Sequence, residues 1–218
     1  MYGFITHTFN VIKGVCSHGC TYCYMKKRKL NPIRFDETEL KTDLGSGNFI
    51  FVGSGTDMFA ADVPADWIAN TLKHCRKFDD NKYLFQSKDP GQFLRWHPAL
   101  GGFFNKVVLG TTLESNRRYG VSHAPDVYRR ADALGRLSCA GFKTMVTIEP
   151  VMDFDTDRLV ELINLARPAW VNIGADSGGN DLPEPSAEKI AELIAALKKT
   201  TDVKIKTNLK RITGKDLK

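Results

Sequence analysis

The chain has 218 residues, of which 42% are hydrophobic and 26% charged, and its formal net charge is +6. This composition excludes a disordered chain, and the length suits one domain with a sizeable core. No apolar run approaches the roughly 20 residues of a membrane-spanning helix, and the N-terminus lacks the basic and apolar blocks of a signal peptide, so the cysteines are expected to stay reduced rather than form disulfides.

The expectation is a cytoplasmic protein (host cytoplasm if phage-encoded) with reduced cysteines, which suits their odd number, five. The pI near 9.0 permits a polyanionic partner without demanding one.

In chain order, a strand predicted over 5–11 is followed by a short helix over 21–29. A strand over 48–52 then leads to a helix over 65–78, and a strand over 82–86 to a helix over 90–96. Strand 106–112 precedes helix 125–140, and strand 143–148 precedes helix 156–166. Strand 170–173 leads to a helix over 186–200, opened by a Ser186 cap, with Ile190, Leu193, Ile194 and Leu197 on one face. A basic stretch over 202–218 closes the chain, with a seventh strand over 203–206. No linker or repeat divides the sequence, so 1–218 reads as one domain, its core roughly 5–200.

Six β-α units predict an α/β fold with a parallel sheet, doubly wound or curled into a barrel, and periodicity does not decide between these. In either case functional groups gather at the carboxyl ends of the strands. Cys16, Cys20 and Cys23 follow the first strand; Gly53, Ser54, Gly55, Thr56 and Asp57 follow the second; Ser87 and Lys88 follow the third. Thr111, Thr112 and Glu114 follow the fourth, Glu149 the fifth, and Gly174 and Asp176 the sixth.

The cysteine loop, 14–25, spaces its thiols Cys-x3-Cys-x2-Cys, and Gly14 and Gly19 ease its wrapping around a metal centre. Structural zinc takes four ligands, usually as two paired halves, and no second half follows. His18 inside the loop is the alternative fourth ligand for zinc, while Cys75 and Cys139 sit alone on helices and read as ordinary thiols. A [4Fe-4S] cluster on three cysteines leaves one iron open for a substrate or cofactor. A ferredoxin-like carrier supplies a thiolate to every iron, which argues against that class. A metal-stabilised nucleic-acid-binding module, holding zinc or an iron-sulfur centre without catalysis, stays open beside the enzyme reading.

The cysteine spacing, with Tyr22 before the last thiol, resembles the signature of the radical S-adenosylmethionine (radical SAM) superfamily. The stretch "GCTYCYMKK" is similar to spore photoproduct lyase and its relatives, and the likeness extends over about 10–180 through "GSGTDMFAAD", "QSKDPGQF", "LGTTLESNRR" and "WVNIGADSGG". Phage-associated radical SAM proteins of unknown function share several of these elements, and the chain reads as nearer to them.

The resemblance implies a partial (β/α)6 TIM-like barrel whose first-strand loop holds a [4Fe-4S] cluster through Cys16, Cys20 and Cys23. It implies S-adenosylmethionine on the open iron, its amine served by Gly53, Ser54, Gly55, Thr56 and Asp57 and its carboxylate by Lys88, with Ser87 beside it. Thr112 or Glu114 would bond the ribose, and Glu149, with Gly174 near it, lies where the family touches adenine. An electron from an external flavodoxin- or ferredoxin-type donor would then give methionine and a 5'-deoxyadenosyl radical that takes a hydrogen atom from the substrate.

Readings without cofactor remain beside these: a turn with an Asx cap at 53–57, a solvated Lys88, and a stabilising rim charge at Glu149. Tyr22 and Tyr24 match family tyrosines, as a radical relay or, preferred here, an aromatic shield around the cluster. The segment 53–57 lacks the lyase's hydrogen-donating cysteine, so photoproduct repair is not implied. Lys26, Lys27, Arg28, Lys29 and Arg34, with Arg117 and Arg118, suggest a nucleotide or nucleic-acid substrate, the solvated helix end being the alternative. A monomer is expected.

Overall fold

The structure is a computed structural model describing residues 2–215. Met1 and residues 216–218 of the basic C-terminal stretch lie outside the described residues.

The elements alternate as β1 (His7–Phe9), β2 (Ile12–Lys13), β3 (Arg34–Phe35), β4 (Phe49–Val52), α1 (Ala65–Arg76), β5 (Lys82–Gln86), α2 (Gly91–Arg95), α3 (His97–Gly101) and β6 (Val107–Thr112). Then come α4 (Val127–Cys139), β7 (Lys143–Ile148), α5 (Thr156–Ala166), β8 (Trp170–Ile173), α6 (Ala187–Leu197), β9 (Asp202–Ile205) and α7 (Lys210–Thr213).

Seven strands form one parallel sheet in the order β1-β4-β5-β6-β7-β8-β9, the order of the chain itself. A doubly wound sheet reverses its strand order at a switch point. Here no reversal occurs, so every crossover steps the same way and the sheet is wound as a barrel. Among the described residues β1 and β9 remain its two edges, unpaired with each other. The architecture is the expected partial barrel, with β9 as the seventh strand.

Strand alternation divides the interior in two. Ile50, Val52, Tyr83, Phe85, Leu109, Val146, Ile148, Val171 and Ile173 meet the apolar faces of the helices in the main core. Leu84, Val108, Met145 and Trp170 face inward, where Tyr2 packs on them. Tyr2 Oη lies 2.7 Å from Gln86 Oε1 and 3.0 Å from Thr147 Oγ1, and its ring stacks on Phe4, so the N-terminal segment fills the inner face.

The helices follow from their sequences. In α1 Ile68, Thr71, Leu72 and Cys75 recur at helical spacing on the buried face. Asp126 accepts from the Tyr128 amide at the start of α4, and Ser186 from the Lys189 amide at the start of α6. Where α4 crosses α5, a Cβ on Gly135 would stand 2.2 Å from the Leu165 carbonyl oxygen. Gly135→Ala is therefore expected to destabilise the fold by about 1–3 kcal/mol through overpacking, read as a drop of several degrees in Tm; an unchanged Tm would show that the helices part freely.

Three expectations are corrected. Strand 5–11 breaks after Phe9: Asn10 turns to bond the loop after β4, and Ile12–Lys13 pairs antiparallel with Arg34–Phe35. Helix 21–29 is a single 3-10 turn, Tyr24–Lys27, because it buries no residue that tertiary packing would stabilise. Helix 90–96 ends at Arg95, and a second short helix starts at once with Pro98 in its first turn, where the missing amide costs nothing.

Candidate metal and cofactor site

The cysteine loop crosses the carboxyl rim of the sheet and is held from three sides. At Gly14 (φ +115°) it runs so close to residues 31–33 that a Cβ would stand 2.5 Å from the Pro32 carbonyl oxygen. The Val15 amide donates to Asn31 O at 3.0 Å, and Thr56 Oγ1 donates to Gly14 O at 2.9 Å. Ser17 Oγ donates to Asp62 at 2.6 Å, and the amides of Thr21 and His123 close 2.8 Å bonds to Val121 O and His18 O.

Cys20 is buried and Cys16 and Cys23 are half-buried, all as free thiols. Burial pushes the Cys16 thiol up to about 11, with Asp57 adding to it. Burial also raises Cys20, which feels Cys23 and Glu114 in the same sense and Lys88 in the opposite one. Cys20 thus lies between the other two, acting on Cys16 and feeling Cys23.

Among the described residues, no three His, Cys, Asp or Glu side chains converge as one metal ion requires. The ligands of a four-iron cluster each take a different iron and need no such convergence. The donor set of three separate thiols on one loop fits that group. His18 Nε2 bonds Asp57 Oδ2 at 2.8 Å, which leaves Nδ1 as the nitrogen that the zinc alternative would use.

Asp57 is the hub of the rim. Besides His18, its Oδ2 accepts from Ser87 Oγ at 2.9 Å and the Lys88 amide at 2.8 Å, and Oδ1 accepts from the Phe59 amide at 3.0 Å. The carboxylate expected to face a ligand amine instead joins the cysteine loop to the loops after β4 and β5. Asn10 Oδ1 receives the Gly55 amide at 3.0 Å and Ser54 Oγ at 3.2 Å, while the Ser54 carbonyl accepts from Tyr24 Oη at 2.8 Å. Gly53 makes the turn out of β4 at φ +75°, where a side chain would strain the backbone.

A second, buried network lies under Cys20. Tyr22 Oη donates to Glu114 Oε1, and Lys88 Nζ donates both to Tyr22 Oη and to that oxygen. Glu114 Oε2 takes Arg130 Nη1 at 3.0 Å, and the same guanidinium nitrogen donates to Thr112 O at 2.6 Å. Burial works to raise the Glu114 carboxyl, but Lys88 and Arg130 outweigh it and hold the group down to about 2. Tyr22 is raised well above its ordinary range by burial and by Glu114. Thr112 Oγ1 accepts from Gln86 Nε2 at 3.2 Å.

Glu149 and Gly174 belong to a different cluster. Glu149 takes Lys206 Nζ at 2.6 Å and Asn208 Nδ2 at 3.0 Å, and a Cβ on Gly174 would stand 2.8 Å from its Oε1. Hydrogen bonds therefore unite the cysteine loop with Thr56, Asp57, Ser87, Lys88 and Glu114, and tie Ser54 to it through Tyr24. Glu149 and Gly174 are joined to the C-terminal segment instead.

Sequence reasoning missed Asn10, Arg130, Lys206 and Asn208. Only Arg130 left a signal: it stands three residues after Val127 and four before Leu134, on the apolar face of α4, where an arginine needs a buried partner.

No protein-family model and no curated protein matches the sequence. Solved structures do match. A spore photoproduct lyase variant is 14% identical and covers 77% of this chain with a TM-score of 0.58. Another, with bound AdoMet and dinucleoside spore photoproduct, is 14% identical and covers 88% with a TM-score of 0.55. Streptococcus suis SuiB bound to S-adenosylmethionine is 10% identical and covers 93% with a TM-score of 0.63. The chain spans 55%, 61% and 50% of the length of these three structures. In fold, the chain is similar to spore photoproduct lyase and SuiB.

Proposed function

We propose that the protein is a radical SAM enzyme in which Cys16, Cys20 and Cys23 hold a [4Fe-4S] cluster. The observation that carries this reading is the loop of three free thiols at the carboxyl rim of a partial barrel. When bound, the cluster and S-adenosylmethionine supply a reductive cleavage that yields methionine and a 5'-deoxyadenosyl radical able to take hydrogen from a substrate. An external flavodoxin- or ferredoxin-type carrier is the electron source in this reading.

This chain's own residues bind and orient. Asp57, through His18, Ser87 and the Lys88 amide, keeps the thiol loop in register with the loops after β4 and β5. The backbone of Gly53, Ser54 and Gly55, with Thr56, offers polar groups to the ligand's amine. Lys88 offers an ammonium to its carboxylate and is held on Glu114 and Tyr22 until then. Thr112 or Glu114 serves the ribose, and Glu149 and Gly174 the adenine side. Tyr22, buried against Glu114, shields the cluster from solvent. The substrate is a nucleotide or nucleic acid, as the basic run 26–29 beside the rim supports.

Anaerobic reconstitution is expected to give about four irons and four sulfides per chain. Dithionite reduction with S-adenosylmethionine should then release 5'-deoxyadenosine, measured by chromatography. An intact cluster without that product sinks the enzyme reading, and one zinc per chain replaces it with a structural metal.

A further inference from the structure

A cavity of about 510 Å³ opens on the outer side of the cysteine loop, between edge strand β1, the β2–β3 ribbon and the loop after β4. Its size falls inside the roughly 300–1,000 Å³ of ligand sites. It adjoins the proposed cofactor site and shares Ser54, Gly55 and Thr56 of the loop after β4 with it. None of the three cysteines lines it, nor do Asp57, Lys88 and Glu114.

The cavity wall is positive by construction. Of its cations, Lys13 is neutralised by Asp36 at 2.8 Å and Glu39 at 2.6 Å. Those carboxylates are then spent: among the described residues Arg28, Lys29 and Arg34 form no ion pair. Three uncompensated cations around one concavity attract phosphate strongly and gain from releasing its counterions. Beside them stands Tyr24, its hydroxyl tied to Ser54 O at 2.8 Å and 59% of the residue exposed. An anchored yet uncovered aromatic next to a basic groove is what a stacked base requires.

We propose that this cavity binds a single strand of nucleic acid, with phosphates on Arg28, Lys29 and Arg34 and one base on Tyr24. A duplex keeps its bases stacked and offers none to Tyr24, whereas an unpaired strand offers both backbone and base. The proposal deepens the substrate half of the proposed function, and it rests on that reading only in taking the bound strand as what the enzyme acts on.

The test is fluorescence anisotropy on the reconstituted full chain, without S-adenosylmethionine, using a labelled oligonucleotide of about 12 nucleotides. Saturable binding is expected, with log K falling against log salt at a slope of about −2 for three phosphates. Arg28→Ala/Lys29→Ala/Arg34→Ala should weaken binding more than tenfold and flatten the slope. Tyr24→Leu should weaken it about 5- to 100-fold at unchanged slope. Lys73→Ala/Lys77→Ala/Arg129→Ala, an equal loss of charge elsewhere, should leave both readings near wild type.

No saturation, equal effects of the two triple variants, tighter binding of the matching duplex, or equal binding of a polyglutamate peptide each overturns the proposal. Deoxyadenosine formation is recorded on the same preparation without oligonucleotide, so a failure of strand binding and a failure of the cofactor reading are told apart.

Discussion

Cys20→Ala is expected to lower 5'-deoxyadenosine formation by more than about 100-fold, because even groups that only orient a metal ligand cost 10–100-fold when removed. Cys20 is the buried member of the three, senses Cys23 directly, and is the thiol that contributes to the Cys16 environment. Its loss leaves two ligands at the ends of an open loop. Iron and sulfide per reconstituted chain should fall together with the cluster's visible absorbance, while far-UV circular dichroism stays native because the loop is pinned by backbone bonds at Val15, Thr21 and His123. Cys75→Ala and Cys139→Ala supply the contrast. Cys75 lies on the buried face of α1, with its thiol held far up by burial, and Cys139 is exposed at the end of α4. Both should keep full iron. A Cys20→Ala protein that retains four irons would remove the loop from the metal site.

The two halves of the molecule were unequally legible in its sequence. Strands β5, β7 and β8 and helix α5 coincide with their expected bounds, because each is a continuous apolar or amphipathic run flanked by polar turns. The choice between a doubly wound sheet and a barrel depends on strand order, a property of the whole chain that local periodicity does not carry. Segment 21–29 has helix-forming residues, yet its geometry is set by partners 30 to 100 positions away, such as Ser54, Glu114 and Val121. The same distance hid the inward roles at the site. Asp57 and Lys88 were recognisable as rim residues, but that Asp57 would be saturated by His18, Ser87 and two amides follows only from the folded register of β4 and β5. Asn208 and Lys206 carry no motif, and their place on Glu149 depends on β9 joining the sheet.

Glu114→Gln should be the most destabilising polar substitution at the rim. The wild-type carboxylate is buried and accepts from Lys88, Tyr22 and Arg130, so two cations meet on one buried anion. The amide keeps the shape but leaves both cations without a counter-charge and turns a donor toward donors. Removing one partner of such a buried cluster costs about 3–5 kcal/mol, so a marked drop in the urea midpoint is expected. The pH dependence gives an independent reading. Because the folded carboxyl is held near 2 against an ordinary value of 4.5, its contribution is complete above about pH 4.5 and is lost as pH falls toward 2. The wild type should therefore lose stability steeply across that window, and Glu114→Gln should lose less across the same window. Adding Lys88→Met to Glu114→Gln removes one of the stranded cations and should restore part of the midpoint, a coupling that a purely steric effect of the amide does not produce. If the single and double variants unfold at the same urea concentration, Lys88 is not held by Glu114 in solution, and it is free for an incoming carboxylate from the start.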